Sequence, residues 1–180
     1  MAVRRSSAQS RATARLVSQY DNLLDTVLTA CKAHYGSRLA ALAVYGSVGR
    51  ATPRADSDID ILLVANDLPD GRIARVEEFR AIEDQLRPLF ETAADFGIHT
   101  RLAPIFKTPR ELRLGTPLLL DMTEDARILH DPDGCLASTL DRLRDRLREL
   151  GSKRVWKGDE WYWDLKPDYK PGDVFDLFPQ

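Results

Sequence analysis

The segment Tyr45-Gly-Ser-Val-Gly-Arg-Ala-Thr-Pro-Arg-Ala-Asp-Ser-Asp-Ile-Asp-Ile-Leu-Leu-Val64 constrains this chain more than any other. The apolar run Leu39-Ala-Ala-Leu-Ala-Val-Tyr45 leads into it and predicts a strand buried on both faces. Gly46-Ser47 then offers a tight turn, and a ten-residue gap from Val48 to Ser57 leads to a second apolar strand from Ile59 to Ala65. Side chains alternate across a strand, so Asp58 and Asp60 project to one face, about 6–7 Å apart along the backbone, with Ile59 and Ile61 on the other. Two like charges on one face repel. They make sense around a divalent cation, because Mg²⁺ binds through one or two carboxylates together with phosphate oxygens and water. The backbone N–H groups and hydroxyl of Gly46-Ser47 can hold phosphate oxygens near that ion, since no Cβ blocks the approach at glycine. Arg50 can add a charge-assisted contact to the same phosphates, and Ser57 can orient the loop or a carboxylate.

Around this segment the pattern alternates between helix and strand. Leu16, Tyr20, Leu23, Leu24, Val27 and Leu28 recur at helical spacing, predicting a helix from about Thr13 to His34 behind a flexible N-terminus over 1–12. Val76, Phe79, Ile82, Leu86 and Phe90 predict a second helix after the turn Pro69-Asp-Gly71. Ile98–Phe106, interrupted by Pro104, reads as a strand at a sheet edge. Thr108-Pro-Arg-Glu111 reads as a capped helix start, and Ala126–His130 as a short strand. Leu136, Leu140, Leu143, Leu147 and Leu150 form one stripe of a last helix ended by Gly151, too short for a coiled-coil seam and read as core packing. The domain layout expected is a core over 13–130, a packed helix over 131–151 and an aromatic-rich extension over 152–180. That extension holds all three Trp. Its segment Trp156-Lys-Gly-Asp-Glu-Trp-Tyr-Trp163 is expected to lay rings onto the domain, with a base-stacking or partner surface as the alternative.

Composition narrows the classes. A chain of this length needs neither disulfides nor a structural metal, so Cys31 and Cys135 read as reduced thiols of a cytoplasmic protein. No run approaches a membrane span, and MAVRRSSAQS lacks the apolar stretch of a signal peptide. The net charge of −2 argues against a whole-protein grip on nucleic acid, but it conceals a split. Residues 1–50 carry seven Lys/Arg against Asp21 and Asp25, whereas 51–180 carry 19 Lys/Arg against 26 Asp/Glu, or about +5 and −7. His34 and His130 lack a second His at ligand spacing and read as structural or surface residues.

The Gly-Ser, the gap and the Asp-Ile-Asp-Ile run resemble the signature of the DNA polymerase β-type nucleotidyltransferase superfamily. Within it, Gly-Ser-Val-Gly-Arg and Ser-Asp-Ile-Asp are similar to the minimal nucleotidyltransferases. The resemblance implies a polymerase β-like α/β (α+β) fold, with a mixed twisted sheet and helices expected mainly on one face. It also implies that Gly46 and Ser47 bind the triphosphate of ATP or another nucleoside triphosphate while Asp58 and Asp60 ligate Mg²⁺. The implied reaction is transfer of a nucleoside monophosphate, AMP first among them, to a hydroxyl, with release of pyrophosphate. The acceptor stays open between a tyrosine of a partner protein (a small helical HEPN-type toxin of a toxin–antitoxin pair), a small molecule and an RNA end. A third carboxylate from a neighbouring strand is normal in this superfamily, yet Ile98–Phe106 contains none. Asp95 is the nearest candidate if the strand begins early, with Asp121, Asp125 and Glu91 more distant, and His99 or Arg101 as alternative occupants. This gap keeps open a degenerate form that works by binding, as an antitoxin-like partner or a nucleotide sensor.

Overall fold

A computed structural model describes residues 2–158 and 160–178, with side chains from Arg11 onward. Four strands form one sheet in the order β3-β2-β1-β4, where β1 is Leu39–Val44, β2 Ile59–Ala65, β3 Leu102–Lys107 and β4 Arg127–His130. β1 is antiparallel to both β2 and β4, and β2 is parallel to β3. The connection from β2 to β3 is helical, as a parallel pair requires, and is supplied by α3 (Arg72–Asp95).

Helices cover both faces of the sheet, not mainly one as the sequence suggests. The reason lies in the strands: every residue of β1 and β2 except Ala40 and Asp60 is buried, so neither face can be left to water. On one face, Leu42, Val44, Ile59, Ile61 and Leu63 pack with Tyr20, Leu24 and Val27 of α1 (Ala2–Tyr35) and Phe79, Ile82 and Leu86 of α3. On the other, Ala41, Ala43, Leu62 and Val64 meet three helices. These are α4 (Pro109–Leu114), α5 (Leu118–Asp125) and α6 (Cys135–Glu149); the four-residue turn Gly46–Gly49 is α2. Asp60 lies on this second face, in step with Leu62.

The predicted α1 begins at Ala2 instead of near Thr13, in a stretch free of Gly and Pro and containing Ala, Arg and Gln, all good helix formers. Met1 of the expected flexible terminus lies outside the described residues. α5 has no counterpart in the sequence reading: its run is short and apolar, although the Thr116 hydroxyl accepts from its first N–H, that of Leu118, at 3.2 Å. The capping box at α4 is as expected, the Glu111 N–H donating to Thr108 Oγ1 at 3.1 Å and the Thr108 N–H to Glu111 Oε2 at 2.8 Å. α6 matches its leucine stripe, and its first free N–H groups, from Leu136 and Ala137, donate to the Asp131 carboxylate. Strands β5 (Lys153–Lys157) and β6 (Glu160–Asp164) form an antiparallel hairpin that lays Trp163 on the second core. Cys31 and Cys135 are free, and burial pushes their thiols up to about 12 and about 11. Among the described residues no helix is long and apolar enough to cross a membrane.

Glu111 also links layers. Arg75, buried on α3, donates from Nη1 and Nη2 to Glu111 Oε2 and Oε1 at 2.7 and 2.9 Å, and from Nε to the Pro69 carbonyl at 2.8 Å. The paired guanidinium holds the Glu111 carboxyl at about 2, against 4.5 when free. Because the folded value is depressed, the stabilisation is complete above pH 4.5 and disappears as pH falls toward 2. Glu111→Gln is expected to be less stable than the wild type at pH 7. Urea unfolding at stepped pH should show that gap closing between about 4.5 and about 2.

Candidate active site

The ends of β1 and β2 are joined by a Tyr45 N–H donating to the Asp60 carbonyl at 3.0 Å. The chain then turns at Gly46, where φ is +66° and a Cβ would stand 2.4 Å from Asp60 Oδ2. Glycine at this point satisfies two requirements at once, the left-handed backbone and the approach of a peptide to a carboxylate. Gly49 answers a different need: a Cβ there would meet the carbonyl oxygens of Asp125 and Val44 at 2.4 and 2.9 Å, so only glycine lets α2 seat against the end of α5.

The loop from Ala51 to Asp58 is tied down from three sides. The Tyr20 hydroxyl of α1 lies 2.9 and 2.8 Å from the carbonyls of Arg54 and Ser57, and Thr100 Oγ1 donates to the Ser57 carbonyl at 2.7 Å. The His99 N–H donates to the Ala55 carbonyl at 2.7 Å. Burial raises the Tyr20 pKa, so this hydroxyl keeps its proton. Ser57 Oγ accepts from the Arg54 N–H at 2.9 Å and from Ser47 Oγ at 3.0 Å, which joins the Gly-Ser turn to the residue preceding Asp58.

Asp58 and Asp60 are both half-buried. Burial raises the Asp60 pKa, the Asp58 charge raises it further, and Arg50 opposes both. Two acids in mutual repulsion are a donor pair that one hard divalent cation could take up. The third acid is absent. In the β2/β3 register Ala103 stands beside Asp60, and Arg101, just ahead of β3, donates to Asp58 Oδ2 from Nε and Nη2, each at 3.1 Å. β3 starts at Leu102, later than the sequence suggests, and Asp95 is the exposed last residue of α3. Asp121 accepts from Trp161 and Trp163, Asp125 pairs with arginines, and Glu91 lies exposed on α3. Among the described residues no three His, Cys, Asp or Glu side chains form a metal-sized group.

Arg50 is engaged elsewhere than the sequence implies. Its Nη1 donates at 2.6 Å to Asp125, whose side chain is 4% exposed. Arg154 of β5 completes the arrangement with two bonds of 2.9 Å to the same carboxylate. The Trp161 ring lies under both guanidiniums, 4.9 Å from that of Arg50 and 4.0 Å from that of Arg154. Trp161 and Trp163 Nε1 both donate to Asp121 Oδ1, at 2.7 and 2.9 Å. The hairpin is thus fastened to α5 and, through Arg50, to the turn beside Asp60. Of the alternatives the sequence offers, Arg101 does stand at the site, on Asp58, while Asp121 and Asp125 are taken by the hairpin; Arg154 as the partner of Asp125 had no signal beyond the odd density of Trp in the tail.

With this geometry in view, comparison with known proteins identifies the class. The nucleotidyltransferase domain family matches residues 24–130, and the chain belongs to that family and is a nucleotidyltransferase. It is 29% identical over 147 residues to the "Putative protein adenylyltransferase MJ1305" of Methanocaldococcus jannaschii, a match covering 81% of this chain and 93% of the relative. Two solved structures are also similar. One is a toxin–antitoxin with AMP-PNP, at 17% identity and TM-score 0.46 over 71% of this chain and 91% of that one. The other is the toxin–antitoxin MntA-HepT, at 15% and 0.43 over 73% and 92%.

Removing the buried acid strands two guanidiniums. Asp125→Ala is expected to lower unfolding free energy by about 3–5 kcal/mol, measured by denaturant titration. Gly46→Ala, whose clash is with a side-chain oxygen, is expected to cost about 1–2 kcal/mol through its left-handed backbone while abolishing activity.

Proposed function

We propose that this protein transfers AMP from ATP to a hydroxyl of another molecule, with Mg²⁺ and release of pyrophosphate. One observation carries the reading: Asp58 and Asp60 stand at the start of β2 close enough for one charge to act on the other, with Asp60 directly against the Gly46 turn. These residues fit one Mg²⁺, because they are hard oxygen donors whose mutual repulsion a cation relieves. Asp58 and Asp60 would hold the ion, which supplies Lewis-acid charge to the phosphate oxygens.

The other groups bind and orient. Gly46 and Ser47 present the backbone turn and hydroxyl to the triphosphate, and Ser57 holds the Ser47 hydroxyl in position. Arg50 acts on the site by its charge, from its anchored place on Asp125, where it opposes the upward pull of burial and of Asp58 on the Asp60 carboxyl. The acceptor oxygen forms a bond to the α-phosphorus while the bond from that phosphorus to the bridging oxygen breaks. Pyrophosphate leaves with the bonding pair, and the hydroxyl proton passes to water. The name of the methanogen relative favours AMP as the group moved and a protein hydroxyl as its acceptor. A binding-only protein is the second reading, favoured by Ala103 standing beside Asp60 where a third acid would be needed.

Incubation with α-labelled ATP, Mg²⁺ and a cell lysate tests both. Wild type is expected to label a macromolecule, and Asp58→Asn and Asp60→Asn to label it about 10²–10³-fold more slowly. Equal labelling by all three sinks the catalytic assignment. Calorimetric binding of ATP without pyrophosphate release establishes the second reading.

A further inference from the structure

No carboxylate reaches the site from β3: Ala103 stands beside Asp60, and the residue beside Asp58 carries positive charge. The parallel register sets Leu102 beside Ile59 and Ala103 beside Asp60, and an Ile59 N–H donating to the Arg101 carbonyl at 2.8 Å extends that pairing back by one residue. Arg101 therefore stands beside Asp58 at the mouth of the site, and its guanidinium closes on a single oxygen, Asp58 Oδ2. Its side chain is 80% exposed and lines a cleft of about 400 Å³ together with Arg80, Glu83, Asp84, Arg87 and Phe90. Such an exposed pair is weak and readily exchanged for another anion.

A two-ion site clamps the attacking and leaving oxygens between cations about 3.5–4 Å apart. Two carboxylates with no third cannot build that pair, and Arg50 is held by Asp125. A guanidinium carries fixed charge without needing a ligand set, and its planar fork matches two phosphate oxygens. We propose that Arg101 takes the place of the second cation: it leaves Asp58 for the phosphates of the bound nucleotide, so that the site works with a single divalent ion. The inference rests on the metal-dependent transfer proposed above and names how that site does without its third acid.

Arg101 thus has two roles of opposite sign, competing for Asp58 when the site is empty and stabilising charge during transfer. Manganese binding followed by electron paramagnetic resonance, together with label-transfer kinetics, separates them. With a non-cleavable α,β-methylene ATP analogue, wild type is expected to bind one Mn²⁺ per protein. Arg101→Ala is expected to bind Mn²⁺ about two- to fivefold more tightly in the absence of nucleotide, since a weak exposed partner of Asp58 is gone. The same variant should transfer label at least about 100-fold more slowly, as the loss of a phosphate-facing arginine implies, with KM for ATP little changed. Arg101→Lys should recover part of the rate. A purely structural role for Arg101 would not move binding and turnover in opposite directions. Two Mn²⁺ per wild-type protein, or transfer by Arg101→Ala within about threefold of wild type, overturns the inference about Arg101 and leaves the transfer reading standing. Unchanged Mn²⁺ affinity in Asp60→Asn overturns the metal site itself, and both proposals with it.

Discussion

One backbone hydrogen bond, from the Tyr45 N–H to the Asp60 carbonyl, decides where the chemistry of this chain can be. It closes the antiparallel pair of β1 and β2 at the end where β1 turns and β2 begins. Two residues fifteen positions apart in the chain become neighbours, and the turn after the first must be glycine because a Cβ there would run into the Asp60 side chain. Slipping this register by one residue would send Asp60 and Leu62 to the α1/α3 core and Ile59 and Ile61 to the other face. The apolar content of the two strands forbids that slip, so the same residues that bury the sheet also hold the carboxylates at its rim.

Much of this arrangement is legible in the residues themselves. The two apolar runs are too uniform for surface strands, and the alternation of Asp58, Ile59, Asp60 and Ile61 assigns each to a face without ambiguity. Local signals that complete themselves within a few residues, such as the Thr108–Glu111 box and the leucine stripe of α6, carry over directly. What stays hidden is whatever depends on a distant partner. Nothing near Arg50 indicates that its charge is taken by Asp125, because that acid comes from α5 and is itself shared with Arg154 of the terminal hairpin. Likewise, α5 is only eight residues long, and a run that short carries too little periodicity to be told from other apolar segments by sequence. The positive first fifty residues illustrate the same limit: Arg38 is paired with Glu78 and Arg50 with Asp125, so the apparent charge excess is already partly neutralised inside the fold.

The hairpin changes the status of the C-terminal region from ornament to support. Trp161 lies beneath two guanidiniums that converge on the buried carboxylate of Asp125, and the backbone carbonyl of the same residue packs against Gly49 of the turn beside the site. A buried charge cluster of this kind is stable only when complete, since each member left alone would be an uncompensated ion in a poor solvent. The turn beside the site, α5 and the hairpin are thereby coupled, and the Arg50 that acts on Asp60 shares its anchoring carboxylate with Arg154, from the far end of the chain.

The exposed flank of the sheet has a further meaning. β3 is an edge strand, and an edge beside a reactive centre is an invitation for other chains to pair with it. Pro104 has no N–H to offer and interrupts the edge at its middle, while Arg101 and Lys107 place charges at its two ends. The protein can leave this side open to approaching molecules without becoming the first layer of a growing sheet: access and self-association are uncoupled by one ring and two cations.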